Sequence, residues 1–276
     1  MIRPEPEIIF TFVQTKRSMK VLYTALLALL LFPSCRRQSG DIDSFLHNAE
    51  SLMNEHPEDA LSIIRHIDRR KIYSSASEAR YALLYSQALD KNYVDVTSDS
   101  LTAVAVNYYD RHGTKHERAM AHYYQGRVFS NAGNFDAAIR SYSLAEDAAS
   151  GTDDYYLLGL INNAVGNLHF EQYDLDEALQ RDQQAASFFH RAQSPYNEAL
   201  AYIGVGTVYS LKGDNEQMEI VYNKAIEIYK ELNATDKILP LYEDIIIETK
   251  LNTGIDLSSI KRDLRHYYTI YNNGRI

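Results

Sequence analysis

Three stretches of this chain repeat one pattern at a fixed distance. They are HYYQGRVFSNAGNFDAAIRSYSLA (122–145), NNAVGNLHFEQYDLDEALQRDQQA (162–185) and YIGVGTVYSLKGDNEQMEIVYNKA (202–225). Gly126, Gly166 and Gly206 stand 40 residues apart, as do Phe129, His169 and Tyr209, and Ala145, Ala185 and Ala225. Ala138 and Ala178 match with Met218 in the third place, and Tyr142 and Tyr222 match with Asp182 between them. A period of this length is the mark of stacked supersecondary units, and it outweighs any element-by-element reading.

Each unit reads as two helices. In the first, 116–132 and 135–149 are helical, separated by the breaker Gly133-Asn134. Glycine inside a helix costs about 1 kcal/mol against alanine, so three in register require a packing reason. A close neighbouring helix supplies it, with Ala138 and Ala145 as the matching flat surface. The low content of 6 Pro and 12 Gly in 276 residues agrees with helices throughout. Stepping back 40 lands on Ser86 and Ala105 within 79–110, where Thr97 or Ser98 is the expected N-cap of the second helix. Before it, 41–68 gives a pair broken at His56-Pro57. After the third unit, 236–252 and 256–272 give a degenerate last pair, with Ile245, Ile246, Ile247 and Leu251 covering the end of the core. Divergent end units are expected caps. The expected fold is all-α, an α-solenoid of about six antiparallel helix pairs over 42–272.

The Gly–aromatic–Ala spacing resembles the tetratricopeptide repeat (TPR), with a period of 40 instead of the usual 34. The added residues fall after Ala145, Ala185 and Ala225 and lengthen each second helix by about a turn. The segment ARYALLYSQALDKNYVDVTSDSLTAVAVNYY also resembles a family of Bacteroidetes TPR proteins. That resemblance, over 19–272, implies a signal-anchored array that often continues into a membrane helix and a signalling or DNA-binding module. No second hydrophobic span follows before Ile276, so the output half is expected to be absent.

The N-terminal region carries a different signal. Met19-Lys20 is followed by the apolar run Val21–Phe32, too short for the roughly 20 residues a bilayer requires. This is the order of a secretory signal, removed in the mature protein. The run ends at Leu31-Phe32-Pro33-Ser34-Cys35, and Cys35 is the single cysteine. Leu31–Cys35 resembles a relaxed bacterial lipobox, which implies acylation of Cys35. An exported chain with one thiol cannot close an internal disulfide, and several acyl chains anchor stably where one does not. The expected organisation is a mis-called extension over 1–18 with the start at Met19, a lipoprotein signal over 19–35, a linker over 36–41 and the repeat domain. The expected place is the cell envelope, lipid-anchored through Cys35.

Charge narrows the partner. The chain carries −9, and residues 1–35, with four basic and two acidic side chains, leave −11 on the rest. Such a chain repels phosphate backbones, so nucleic acid is not the expected partner. No catalytic, cofactor or metal site emerges. His112 and His116 are spaced i, i+4, with His122 beyond, but no Glu or third ligand stands at a suitable spacing. Asp153-Asp154 and Asp174 with Asp176 lack a calcium-loop pattern and read as helix caps. The sequence has no phosphate-binding glycine loop and no G-x-S-x-G, so an enzyme is not expected.

A binding surface is more legible. With His122, Gly126 and Phe129 on the core stripe of the first unit, the inner stripe lies about 100° round the helix at Tyr123, Arg127 and Ser130 or Asn131. The next units give Asn163, Asn167 and Phe170 or Glu171, then Ile203, Thr207 and Ser210; the preceding one gives Leu83, Gln87 and Asp90 or Lys91. One column is therefore Gln87, Arg127, Asn167 and Thr207, all able to hydrogen-bond. The resemblance to peptide-binding arrays implies that such columns hold the backbone and carboxylates of an extended peptide. The expected ligand groove is Gln87, Tyr123, Arg127, Asn131, Asn163, Asn167, Phe170 and Thr207. The expected function is a membrane-anchored scaffold or adaptor for a protein or peptide. The alternatives are the sensing half of a regulatory system or an outer-membrane assembly lipoprotein.

Overall fold

The repeat pattern is realised as helix pairs in a computed structural model that describes residues 33–251. The expected extension, most of the expected signal and the second helix of the last pair lie outside the described residues. The helices are α1 (Pro33–Leu52), α2 (Pro57–Arg65), α3 (Ser75–Lys91), α4 (Thr102–His112), α5 (Lys115–Asn131), α6 (Phe135–Ala149), α7 (Tyr155–Glu171), α8 (Leu175–Arg191), α9 (Pro195–Leu211), α10 (Asn215–Glu231) and α11 (Ile238–Leu251). No strand occurs among the described residues. Nor is any helix there long and apolar enough to cross a membrane.

The chain divides into two compact units, one ending at Asn92 and the other beginning at Tyr93. In the first, α1 packs on α2 and α3. Ile42, Leu46 and Ala49, spaced i, i+4, i+7, are buried on one face of α1. Pro57 sits at the start of α2, where its missing N–H costs nothing, and Asn92 Nδ2 closes the unit by donating to Pro57 O at 2.8 Å. Helix α1 includes residues 36–41, so the expected linker is helical. The expected pairing of the two helices within 79–110 falls across the boundary between the units. The expected N-cap at Thr97 or Ser98 is also corrected. Helix α4 starts after Leu101 without a side-chain cap, because 93–101 forms an irregular segment in which Ser98 Oγ accepts from the backbone of Ser100 instead.

In the second unit α5–α6, α7–α8 and α9–α10 are the three repeats, and the two helices of the first lie within a residue of their expected limits. Every turn inside a pair uses the same device. Asn134, Asp174 and Asp214 donate their backbone N–H to the carbonyls of Phe129, His169 and Tyr209, after a residue of positive φ. That residue is Gly133, Tyr173 or Gly213. This is a Schellman closure, which satisfies the last carbonyls of the first helix.

The register glycines sit where the paired helices touch. A Cβ on Gly126 would stand 2.5 Å from Tyr142 Cε1, and one on Gly206 would stand 2.2 Å from Tyr222 Cε1. In the middle repeat the partner of Gly166 is Asp182, whose Oδ1 would be 2.7 Å away. Between repeats, Ala185, Ala186 and Phe189 of α8 cluster with Ala201 of α9. Beyond them Met218, Tyr222, Ile226 and Tyr229 of α10 meet Ile238, Leu241 and Ile245 of α11.

Candidate functional site

Arg127, Asn167 and Thr207 occupy equal positions on α5, α7 and α9, the first helices of the three repeats. Asn167 is exposed, while Arg127 and Thr207 are half-buried. Thr207 Oγ1 donates to Ile203 O at 2.9 Å and lies 3.3 Å from the Tyr222 hydroxyl. Gln87 belongs to the first unit and is half-buried there. Phe170 is half-buried at the end of α7. Asn131 donates to Val96 O at 3.4 Å, so it ties the 93–101 segment to α5.

Two residues of the expected groove serve packing. Tyr123 is 6% exposed, with its ring 5.0 Å from that of Tyr124 and 6.0 Å from that of Tyr142. The inner stripe is thus narrower than the helical wheel implies, because the aromatic rings of the first repeat close over it. Asn163 Nδ2 donates to Asp182 Oδ1 at 3.1 Å, which turns its amide inward.

That contact exposes a residue the sequence reading passed over. Asp182 replaces the tyrosine of the flanking repeats and is 2% exposed, walled by Gly166 on one side and Gly204 on the other. Burial pushes its carboxyl up to about 7, against the pull of the Asn163 hydrogen bond. The odd member of the column Tyr142, Asp182, Tyr222 was the available signal.

On the other side of the repeats the second helices meet the next pair, and here the junctions differ. Between the first and second repeats, Arg181 Nη1 donates to Glu146 Oε1 at 3.0 Å and to Asn162 Oδ1 at 3.0 Å, and its Nε donates to Glu177 Oε1 at 3.3 Å. Forty residues on, the places of Glu146, Asn162 and Arg181 are taken by Ala186, Tyr202 and Val221. These line an open cleft of about 370 Å³ between α8, α9 and α10. On its rim Lys224 Nζ lies 5.4 Å from the Tyr202 ring centroid. His190 Nδ1 lies 3.2 Å from both carboxylate oxygens of Glu198.

Of the three histidines considered for metal, two pair with separate carboxylates, and the ring of His112 lies 5.0 Å from that of Tyr108. His122 Nε2 meets Asp110 at 2.8 Å, and His116 meets Asp154, whose carboxyl is lowered chiefly by that hydrogen bond. Asp154 also caps α7 by accepting from Leu157 N, as expected. Asp174 stands at the N-cap of α8, but its carboxylate is drawn to His169 at 3.1 Å and makes no cap bond.

Residues 157–231, which hold α7 to α10, match the family model described as tetratricopeptide repeat. Among solved structures, the crystal structure of BtubC (BKLC) from P. vanneervenii matches with a TM-score of 0.50 and 14% identity, over 72% of this chain and 92% of that one. At that identity the likeness speaks for the fold alone. A search of curated proteins finds no match. Family match and fold likeness together support an all-α, TPR-like helical-repeat protein, a class whose members typically scaffold protein interactions and are not catalysts.

Proposed function

We propose that this chain is a non-enzymatic scaffold that captures a protein or peptide segment on the inner face of its repeats, held at the cell envelope through an acylated Cys35. The observation that carries the capture reading is the row Arg127, Asn167 and Thr207. Three hydrogen-bonding side chains recur at one position on successive first helices of a packed array. An extended chain presents a donor and an acceptor at every residue, so a regular polar row can hold its backbone. The anchor rests on the apolar run Val21–Phe32 ahead of the single cysteine.

Two measurements test this. Affinity capture from native envelope extract, read by mass spectrometry, should lose its partners severalfold with Asn167→Ala and Thr207→Ala. Thermal stability should hold within about 0.5 kcal/mol for the exposed Asn167. Unchanged capture by both variants removes the inner face as the site. Palmitate labelling should appear in the wild type and vanish in Cys35→Ser. Equal labelling, or none in either, removes the anchor.

A further inference from the structure

The two inter-repeat junctions on the second-helix side are built on one register and finished differently. At the first, Arg181 fills the space, held at once by Glu146, Asn162 and Glu177, with Asn162 1% exposed. At the second the same three positions are Ala186, Tyr202 and Val221. Removing a guanidinium, a carboxylate and an amide together leaves no polar group orphaned, and it gives the cleft an apolar floor at its base. Ala186, Val205 and Val221 of that floor are 2%, 1% and 7% exposed as residues. They are fixed by the packing of three helices, so the floor is formed before any ligand arrives. The volume of about 370 Å³ falls in the range of small-ligand sites.

The rim is charged at two points. Lys224, on α10, overhangs the Tyr202 ring and is exposed. Glu198, on α9, has a side chain only 13% exposed and is bridged by His190 of α8. Burial first and then the Glu198 charge hold the Tyr202 hydroxyl above its usual range. An apolar floor with a cation and a carboxylate among its lining side chains matches a definite ligand chemistry: an apolar side chain beside a carboxylate and an N–H.

We infer that the cleft between α8, α9 and α10 binds the apolar C-terminal residue of a peptide. Its carboxylate pairs with Lys224, its amide N–H donates to Glu198 and its side chain lies on Ala186, Val205 and Val221. The open rim lets the preceding residues leave, which favours a chain end over a free amino acid. This site goes beyond the inner-row reading and stands on different residues.

Fluorescence anisotropy on the full chain tests it, with fluorescein-labelled Gly-Ser-Gly-Ala-Leu as the probe. The free acid should bind saturably, and its C-terminal amide at least about fivefold more weakly. Lys224→Gln, on the exposed rim, should weaken the free acid by a similar factor and abolish the distinction between acid and amide. Ala186→Glu with Val221→Arg rebuilds the ion pair of the neighbouring junction and should remove binding, with circular dichroism confirming helix content. Asn167→Ala should leave binding unchanged, so failure here and failure of the inner row are separate outcomes. No saturable binding of the free acid, equal binding of the amide, or loss of binding in Asn167→Ala overturns the assignment. So does full binding by a folded double variant, or displacement of the probe by free leucine at the probe's own concentration.

Discussion

Asp182 shows how one substitution within a repeat register changes the physics of a position. Tyr142 and Tyr222 lay rings over their glycines, and a ring needs no charge compensation. A carboxylate in the same place loses most of its hydration and gains one amide hydrogen bond, from Asn163. The folded-state value of about 7 lies above the roughly 3.9 of an unfolded aspartate. Between those values the folded chain holds a proton that the unfolded chain has released. Stability therefore falls as pH rises through that window and levels off above it. Denaturant unfolding should show the wild type losing more than about 1 kcal/mol between pH 5 and pH 8. Asp182→Asn should lose clearly less, and parallel curves for the two would mean that the carboxylate is solvated.

At the level of the element, the turns inside each repeat reveal a local cost. Gly133 and Gly213 take the left-handed conformation at the end of their helices, and Tyr173 takes it in the middle repeat with φ 62° and 70% exposure. A side chain at that φ is strained, whereas glycine is not. The ring, mostly in solvent, returns little packing energy. Tyr173→Gly should therefore stabilise the middle repeat by up to about 1 kcal/mol. Thermal or denaturant melting of the full chain checks the sign. A destabilised variant would mean that the ring packs more than its exposure indicates. The opposite case is the start of α5, where Thr114 accepts from Glu117 N at 3.2 Å and Glu117 reaches back to Thr114 N at 2.8 Å. This capping box begins α5 after a gap of only two residues from α4.

Across the molecule, each repeat of the second unit gains stability from its neighbours, as stacked arrays do. Helices α7, α8 and α9 have packed helices on both sides, and they carry Leu157, Ile161, Phe189 and Val208 at 2% exposure or less. The segment 93–101 has few buried side chains, and Tyr93 and Val94 are exposed. Amide hydrogen exchange should be slowest in α7 to α9 and fastest in 93–101, by orders of magnitude between the two. Uniform protection along the second unit would show that it opens only as a whole.

Local pattern was enough to read the period, the two helices of the first repeat and the contact points at Gly126, Gly166 and Gly206. All of these depend on local spacing, on breakers such as Gly133-Asn134 and on small residues in register. Tertiary structure decided what each polar residue does. Tyr123 became core and Asn163 turned inward because the Tyr142 ring and the buried Asp182 carboxylate claimed them, and both partners lie 19 residues on in the chain. The helical limit of α1 and the uncapped start of α4 were likewise set outside the repeat pattern. The cleft beside Val221 was partly legible, since Glu146, Asn162 and Arg181 give way to Ala186, Tyr202 and Val221 at a spacing of 40. That those three positions face one space could be seen only once α8, α9 and α10 had been packed together, because helical spacing fixes a residue's face and not what stands opposite it.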